Sequence, residues 1–178
     1  MRIGLMRHFR VTYKPRQKWM TSREFTQWVE HYNLSDIEAM SADIRQGEWE
    51  ACFSSDSSRA CRTAELVYRE KIVRLPELRE IGIQSMFSTQ LRLHVGIWLA
   101  LSRMAWYFSH KSHPESRGDT HNRVSQVIDS LEGSGASRIL VVSHGGFMRS
   151  LSKELLRRGY RGSSFLKPAN GKLYIYEK

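Results

Sequence analysis

Short apolar runs alternate with amphipathic stretches along this chain, which predicts an α/β fold: a three-layer α/β/α sandwich around a central, mostly parallel sheet. Two observations carry that expectation. Strand-like runs occur at Met1 to Met6, Trp49 to Ser54, Lys71 to Leu75, Arg138 to Ser143 and Lys172 to Glu177. Between them, apolar residues recur at helical spacing.

Taken in order, Met1 to Met6 reads as a short buried strand that ends on Arg7-His8. Thr21-Ser22-Arg23-Glu24 has the form of a capping box, and Phe25, Trp28, Val29 and Tyr32 follow as one face of a helix turned to the core. Trp49 to Ser54 leads through the turn Ser54-Ser55-Asp56-Ser57-Ser58 into a helix with Ala60, Ala64 and Val67 on one side. Lys71 to Leu75 is a third strand, stopped by Pro76. The stretch Leu78 to Gln84, broken at Gly82, reads as irregular chain of the kind that carries function.

Thr89 to His110 predicts one long helix, its Trp98, Met104, Trp106, Tyr107 and Phe108 forming core or a cap over a pocket. Joint exposure of Trp98 and Trp106 would instead point to a dimer interface. His110 to Asp119 is a polar, turn-rich connector, and Val124, Val127, Ile128 and Leu131 mark the next helix. After the Arg138 to Ser143 strand, His144-Gly145-Gly146 turns the chain into a helix with Phe147, Met148, Leu151 and Leu155 inward.

The 178 residues, 40% of them apolar, suit one domain over 1–178, with 84–119 as a helical cap or insert. Arg7 interrupts the first apolar stretch, and the Val95 to Phe108 run falls short of the ~18 to 20 residues that cross a bilayer. A cytoplasmic location without a membrane span is therefore expected. Cys52 and Cys61 match neither a zinc-ligand pair nor a disulfide framework, and read as reduced thiols.

Lys and Arg number 28 against 18 Asp and Glu, a formal charge of +10 that favours anionic partners: phosphorylated metabolites, phosphoproteins or nucleic acid. The charge is uneven. Residues 1–23 hold seven Lys or Arg and no acid, whereas residues 36–50 hold five acids and one Arg. Arg10, Lys14, Arg16 and Lys18 are either a grip for a second anionic group or a solvated basic edge.

Two strands finish on a histidine, at His8 and at His144, and ligand sites in such sheets gather at the carboxyl ends of the strands. A third strand runs into Ser54 to Ser58 and then Arg59. One sheet edge would thus collect two imidazoles and the guanidiniums of Arg7 and Arg59, a cluster that repels itself unless an anion occupies it. Arg offers a planar fork of donors for phosphate oxygens, and backbone N–H groups at Gly145-Gly146 open a helix toward the same edge. His110, His113 and His121 have no sharp ligand spacing, so neither a metal nor another cofactor is expected.

These residues resemble the histidine phosphatase superfamily, also described as phosphoglycerate mutase-like. Arg7-His8-Phe9 matches two positions of the family's Arg-His-Gly motif, with Phe9 in place of glycine. Ser54, Arg59, Ala60, Thr63 and Ala64 match the second motif, Leu78-Arg79-Glu80 with Gly82 the third, and Val141-Val142-Ser143-His144-Gly145-Gly146 the fourth. The matches fall in family order.

The resemblance implies a phosphoglycerate mutase-like fold and a covalent two-step phosphoryl transfer. His8 would be the nucleophile that carries a phosphohistidine, and Arg7, Arg59 and His144 would surround the phosphoryl oxygens. Glu80 is the implied general acid, with Glu77 and Asp119 as competitors. Hydrolysis of a small-molecule phosphate ester or a phosphoprotein is expected, since typical mutases are longer. A mutase-type phosphotransferase and a nonenzymatic binder of polyanions or phosphoproteins are the alternatives. The substrate side is expected to include Phe9, which would narrow the choice of leaving group, together with Arg10 and Gly145.

Overall fold

The computed structural model describes residues 1–14, 17–38, 40, 42, 44 and 47–178; Arg16 of the basic cluster, and Asp43 and Arg45 of the acidic stretch, lie outside them. A six-stranded sheet runs through the centre in the order β4-β3-β6-β1-β8-β7. Its strands are β1 (Arg2–Arg7), β3 (Ala51–Ser55), β4 (Ile72–Leu75), β6 (Arg138–Ser143), β7 (Arg161–Gly162) and β8 (Leu173–Glu177). β1, β3, β4 and β6 are parallel, whereas β8 runs antiparallel to β1 and β7 to β8.

Alternation of side chains along each strand separates two cores. Ile3 and Leu5 of β1 and Ile139 and Val141 of β6 face α4 (Arg117–Glu132) and α5 (Gly145–Arg157) through Val124, Ile128, Phe147 and Leu151. Met6, Leu140 and Val142 face the other way, onto Ala60, Ala64 and Val67 of α2 (Ser58–Val67). This is the three-layer, mostly parallel sandwich expected from the sequence.

Several of the remaining elements depart from the expectation. The long helix read at Thr89 to His110 is shorter: α3 (Val95–Tyr107) starts at His94, whose Nδ1 accepts from the N–H of Gly96. Leu93 and His94 instead form β5 (Leu93–His94), paired with β2 (Trp19–Met20). α1 (Ser22–Leu34) carries the predicted capping box, with Thr21 and Glu24 bonded reciprocally. A second box, Ser116 with Asp119, opens α4 inside what reads as connector, so Asp119 is engaged at a helix start and lies outside the cavity described below.

α1 and α3 share a small core of their own, in which Met20, Phe25 and Trp98 are buried and the Trp98 indole donates to the Met20 carbonyl over 2.8 Å. Trp98 is fully buried, Trp106 is half-buried and donates to Thr120 Oγ1, and Met104, Tyr107 and Phe108 are exposed. Trp98 and Trp106 thus do not form a joint exposed surface. His113 is buried, its ring held between the carbonyls of Gly82 and Glu115. Cys52 and Cys61 are free thiols. Among the described residues, no helix is long and apolar enough to cross a membrane.

Candidate active site

Strand register brings the two histidines together. Arg7 of β1 lies level with Ser143 of β6, so the next residue of each chain, His8 and His144, leaves the sheet at the same height. Their rings stand 5.1 Å apart between centroids. On the other side of β6, Ser54 is level with Val142, which delivers Ser55 and the start of α2 to the same edge.

His8 is 2% exposed, and its Nδ1 lies 2.7 Å from the carbonyl oxygen of Phe9. A carbonyl can only accept, so Nδ1 carries the proton and Nε2 keeps its lone pair. Burial and the Arg59 guanidinium push the His8 pKa down to about 3, opposed by the bond to Phe9 and assisted more weakly by Arg7. The imidazole is therefore neutral at physiological pH. His144 is also driven well below the ordinary histidine range, first by burial and then by Arg59 and His8. Its Nε2 lies 2.9 Å from the Ser55 hydroxyl and 3.3 Å from that of Ser57, and its buried Nδ1 has no partner among the described residues.

Arg7 donates to the Pro168 carbonyl over 3.0 Å, and Arg59 to Oδ1 of Asn33 over 3.1 Å, with the Arg59 guanidinium over the Tyr32 ring. Neither has an ion pair among the described residues, and the Nε–H of each is buried without an acceptor. Two guanidiniums, Arg59 buried and Arg7 half-buried, that lack a carboxylate partner among the described residues fit a binding site for an anion with several acceptor oxygens.

A network of main-chain bonds holds this floor. The N–H of Phe9 donates to Thr63 Oγ1, which donates to the Arg59 carbonyl, while Asn170 Nδ2 donates to the His8 carbonyl. Thr63, from the second sequence motif, thus ties the end of β1 to α2. Ser54, the first residue of that motif, is turned away and bonds to the Ser55 carbonyl.

Glu80 enters from the loop after β4, which Ser143 anchors by donating to the Leu78 carbonyl. Its carboxylate accepts from the N–H groups of Gly146, Phe147 and Ile81. The N–H of Gly146 is thereby taken by a protein carboxylate, a correction to the expectation that the N–H groups of both Gly145 and Gly146 face the ligand. The two glycines serve close approach: a Cβ on Gly145 would stand 3.3 Å from the Arg7 guanidinium carbon, and one on Gly146 only 2.6 Å from Glu80 Oε1.

Arg7, His8, Arg59, Glu80 and Gly145 all line one cavity of about 730 Å³. Glu77 is exposed and outside it, as is Arg10. His144 lies behind the lining, in contact with His8. Phe9 does not face the substrate side: it is 1% exposed, packs in the α2-side core, and its ring lies against Gly171, whose φ of +69° brings the backbone in. Trp28, Val29 and Tyr32, expected in the core with Phe25, are half-buried and line the cavity instead. Asn33 and Asn170 are site residues that no sequence signal singled out, and Ser55 is marked in the sequence only as part of the Ser54 to Ser58 turn.

A family model described as the histidine phosphatase superfamily, branch 1, matches residues 5–177. The chain belongs to this superfamily. Among solved structures, the α-ribazole phosphatase of Shigella flexneri aligns with a TM-score of 0.54 at 24% identity, over 87% of this chain and 79% of that one. A Thermus thermophilus protein aligns with a TM-score of 0.56 at 23% identity, over 98% and 92% of the two chains. A mycobacterial glucosyl-3-phosphoglycerate phosphatase gives 0.51 at 22% identity, over 88% and 79%. At these identities the likeness is one of fold. No match was found among curated proteins.

Proposed function

We propose that the protein hydrolyses a phosphate monoester in two phosphoryl transfers, with His8 as the residue phosphorylated in between. The observation that carries this reading is the convergence of His8, Arg7, Arg59 and Glu80 on one cavity, with His144 against His8. In the first step Nε2 of His8 bonds to phosphorus as the bond to the leaving oxygen breaks, and Glu80 supplies that oxygen with a proton. In the second, water bonds to phosphorus and loses a proton to Glu80, while the P–N bond breaks and returns the electron pair to Nε2.

Arg7 and Arg59 hold the phosphoryl oxygens through both steps, where positioning and fixed charge do most of the catalytic work. Three N–H donors orient the Glu80 carboxylate. Its two oxygens carry about four lone-pair sites, which leaves room for the transferred proton. A small-molecule ester fits the cavity's size, and several relatives by fold are named for such substrates.

The test is phosphate release from a panel of monoesters by wild type and His8→Ala, with a parallel search for acid-labile phosphate on the protein. Release that falls at least ~10³-fold in His8→Ala, with phosphoprotein seen only in wild type, is the expected result. Equal rates in both proteins would remove the nucleophile. Phosphate delivered to an alcohol in place of water would mark a phosphotransferase.

A further inference from the structure

Above its cationic floor the cavity is walled largely by carbon. Trp28, Val29 and Tyr32 contribute from α1, Leu99 from α3, and Ile81 and Ile83 from the loop after Glu80. The aromatic part is braced from behind. The buried Phe25 ring stacks on Trp28 at 5.7 Å and on Trp98 at 5.5 Å, both within 20° of parallel, and Trp28 in turn lies 5.7 Å from Tyr32. The wall therefore presents a flat surface whose orientation is set by the α1–α3 core.

The cavity volume of about 730 Å³ lies in the range of sites for drug-sized ligands, ~300–1,000 Å³. A phosphoryl group takes up only its floor, and the alcohol occupies the rest. Two polar groups of the lining are already committed, Asn33 to Arg59 and Glu80 to α5, and the guanidinium of Arg79 is held by Asp56. Arg103, Arg149 and Lys167 also line the cavity, and as cations they are drawn first to the charge of the phosphate. A polyhydroxylated alcohol would have to surrender its water against carbon, whereas an apolar one gains by the same burial.

We propose that the substrate class is the phosphate monoester of an aromatic or alicyclic alcohol, its flat apolar body lying against Trp28 and Leu99. This rests on the phosphatase reading above. The probe pair is 2-phenylethyl phosphate and glycerol 3-phosphate, both alkyl esters, so that intrinsic leaving-group reactivity differs little. The expected kcat/KM ratio is about tenfold or more in favour of the phenylethyl ester, the scale on which an apolar pocket discriminates.

Trp28→Ala and Leu99→Asn should each pull that ratio toward one. Two variants on different helices keep the test alive if one fails to fold. A wild-type ratio near one, or a ratio that survives in both folded variants, overturns the proposal. Calorimetric binding of 2-phenylethylphosphonate against ethylphosphonate separates the two readings. A preference for the former without turnover of either ester would keep the apolar pocket as a ligand preference and remove the phosphatase. Turnover without any preference would do the reverse.

Discussion

The floor of the cavity and its wall are held in place by different means. Arg7, His8 and His144 sit at strand ends, fixed by the parallel register of β1 and β6 and by bonds to the main chain. Trp28, Val29, Tyr32 and Leu99 sit half-buried on two helices that share a small core with Met20. Register leaves the floor almost no freedom, because a shift of one residue would turn every side chain to the opposite face. Helix packing tolerates changes of side chain far better. A common reaction with a substrate choice of its own is what such a division supports.

The strongest way to break the comparison is Phe9→Ala. If Phe9 belongs to the buried frame under the floor, the variant should lose ~3–5 kcal/mol in chemical denaturation while the leaving-group preference of the folded fraction is unchanged. A shifted preference with little loss of stability would return Phe9 to the substrate side.

Next in size is Gly146→Ala. The new Cβ would meet Glu80 Oε1 at 2.6 Å and Arg103 at 3.0 Å, so the carboxylate must leave its place over α5. A fall in kcat of ~10²-fold is expected, the lower end of what a positioned proton donor contributes, with phosphate affinity changed much less. Unaltered kcat would exclude the carboxylate from proton transfer.

A third test, read as a slope with pH, sharpens the electrostatics of the floor. His8 titrates at about 3 when folded, against 6.5 for an ordinary histidine, and His144 is lowered in the same direction. Between those values the unfolded chain binds a proton that the folded His8 refuses, so stability is greatest above pH 6.5 and is lost as pH falls toward 3. The slope is ~1.4 kcal/mol per pH unit for each such histidine. Thermal unfolding from pH 7 to 4 should show it. His8→Phe, which cannot bind a proton, should flatten the slope by about one histidine, and an unchanged slope would mean that His8 protonates freely in the folded protein.

Much of this was legible in the sequence. Residues that alternate along a strand and recur along a helix reveal the layers, and an imidazole after an apolar run at both residues 8 and 144 marks a sheet edge. Local pattern could not say that Trp28, Val29 and Tyr32 face a cavity while Phe25 is buried, since all four satisfy the same helical spacing. Nor could it show β5, because a two-residue strand exists only through its partner at Trp19 and Met20.

The sequence by itself determined which chemical groups are present and that strand ends would carry them, because those depend on residue type and short-range periodicity. Tertiary structure decided where the groups point. Phe9 turned inward because Gly171, over 160 positions away, leaves room for its ring. Glu80 took the start of α5 because the loop after β4 is pinned to Ser143. Contacts between residues far apart in the chain set such directions, and no local pattern encodes them.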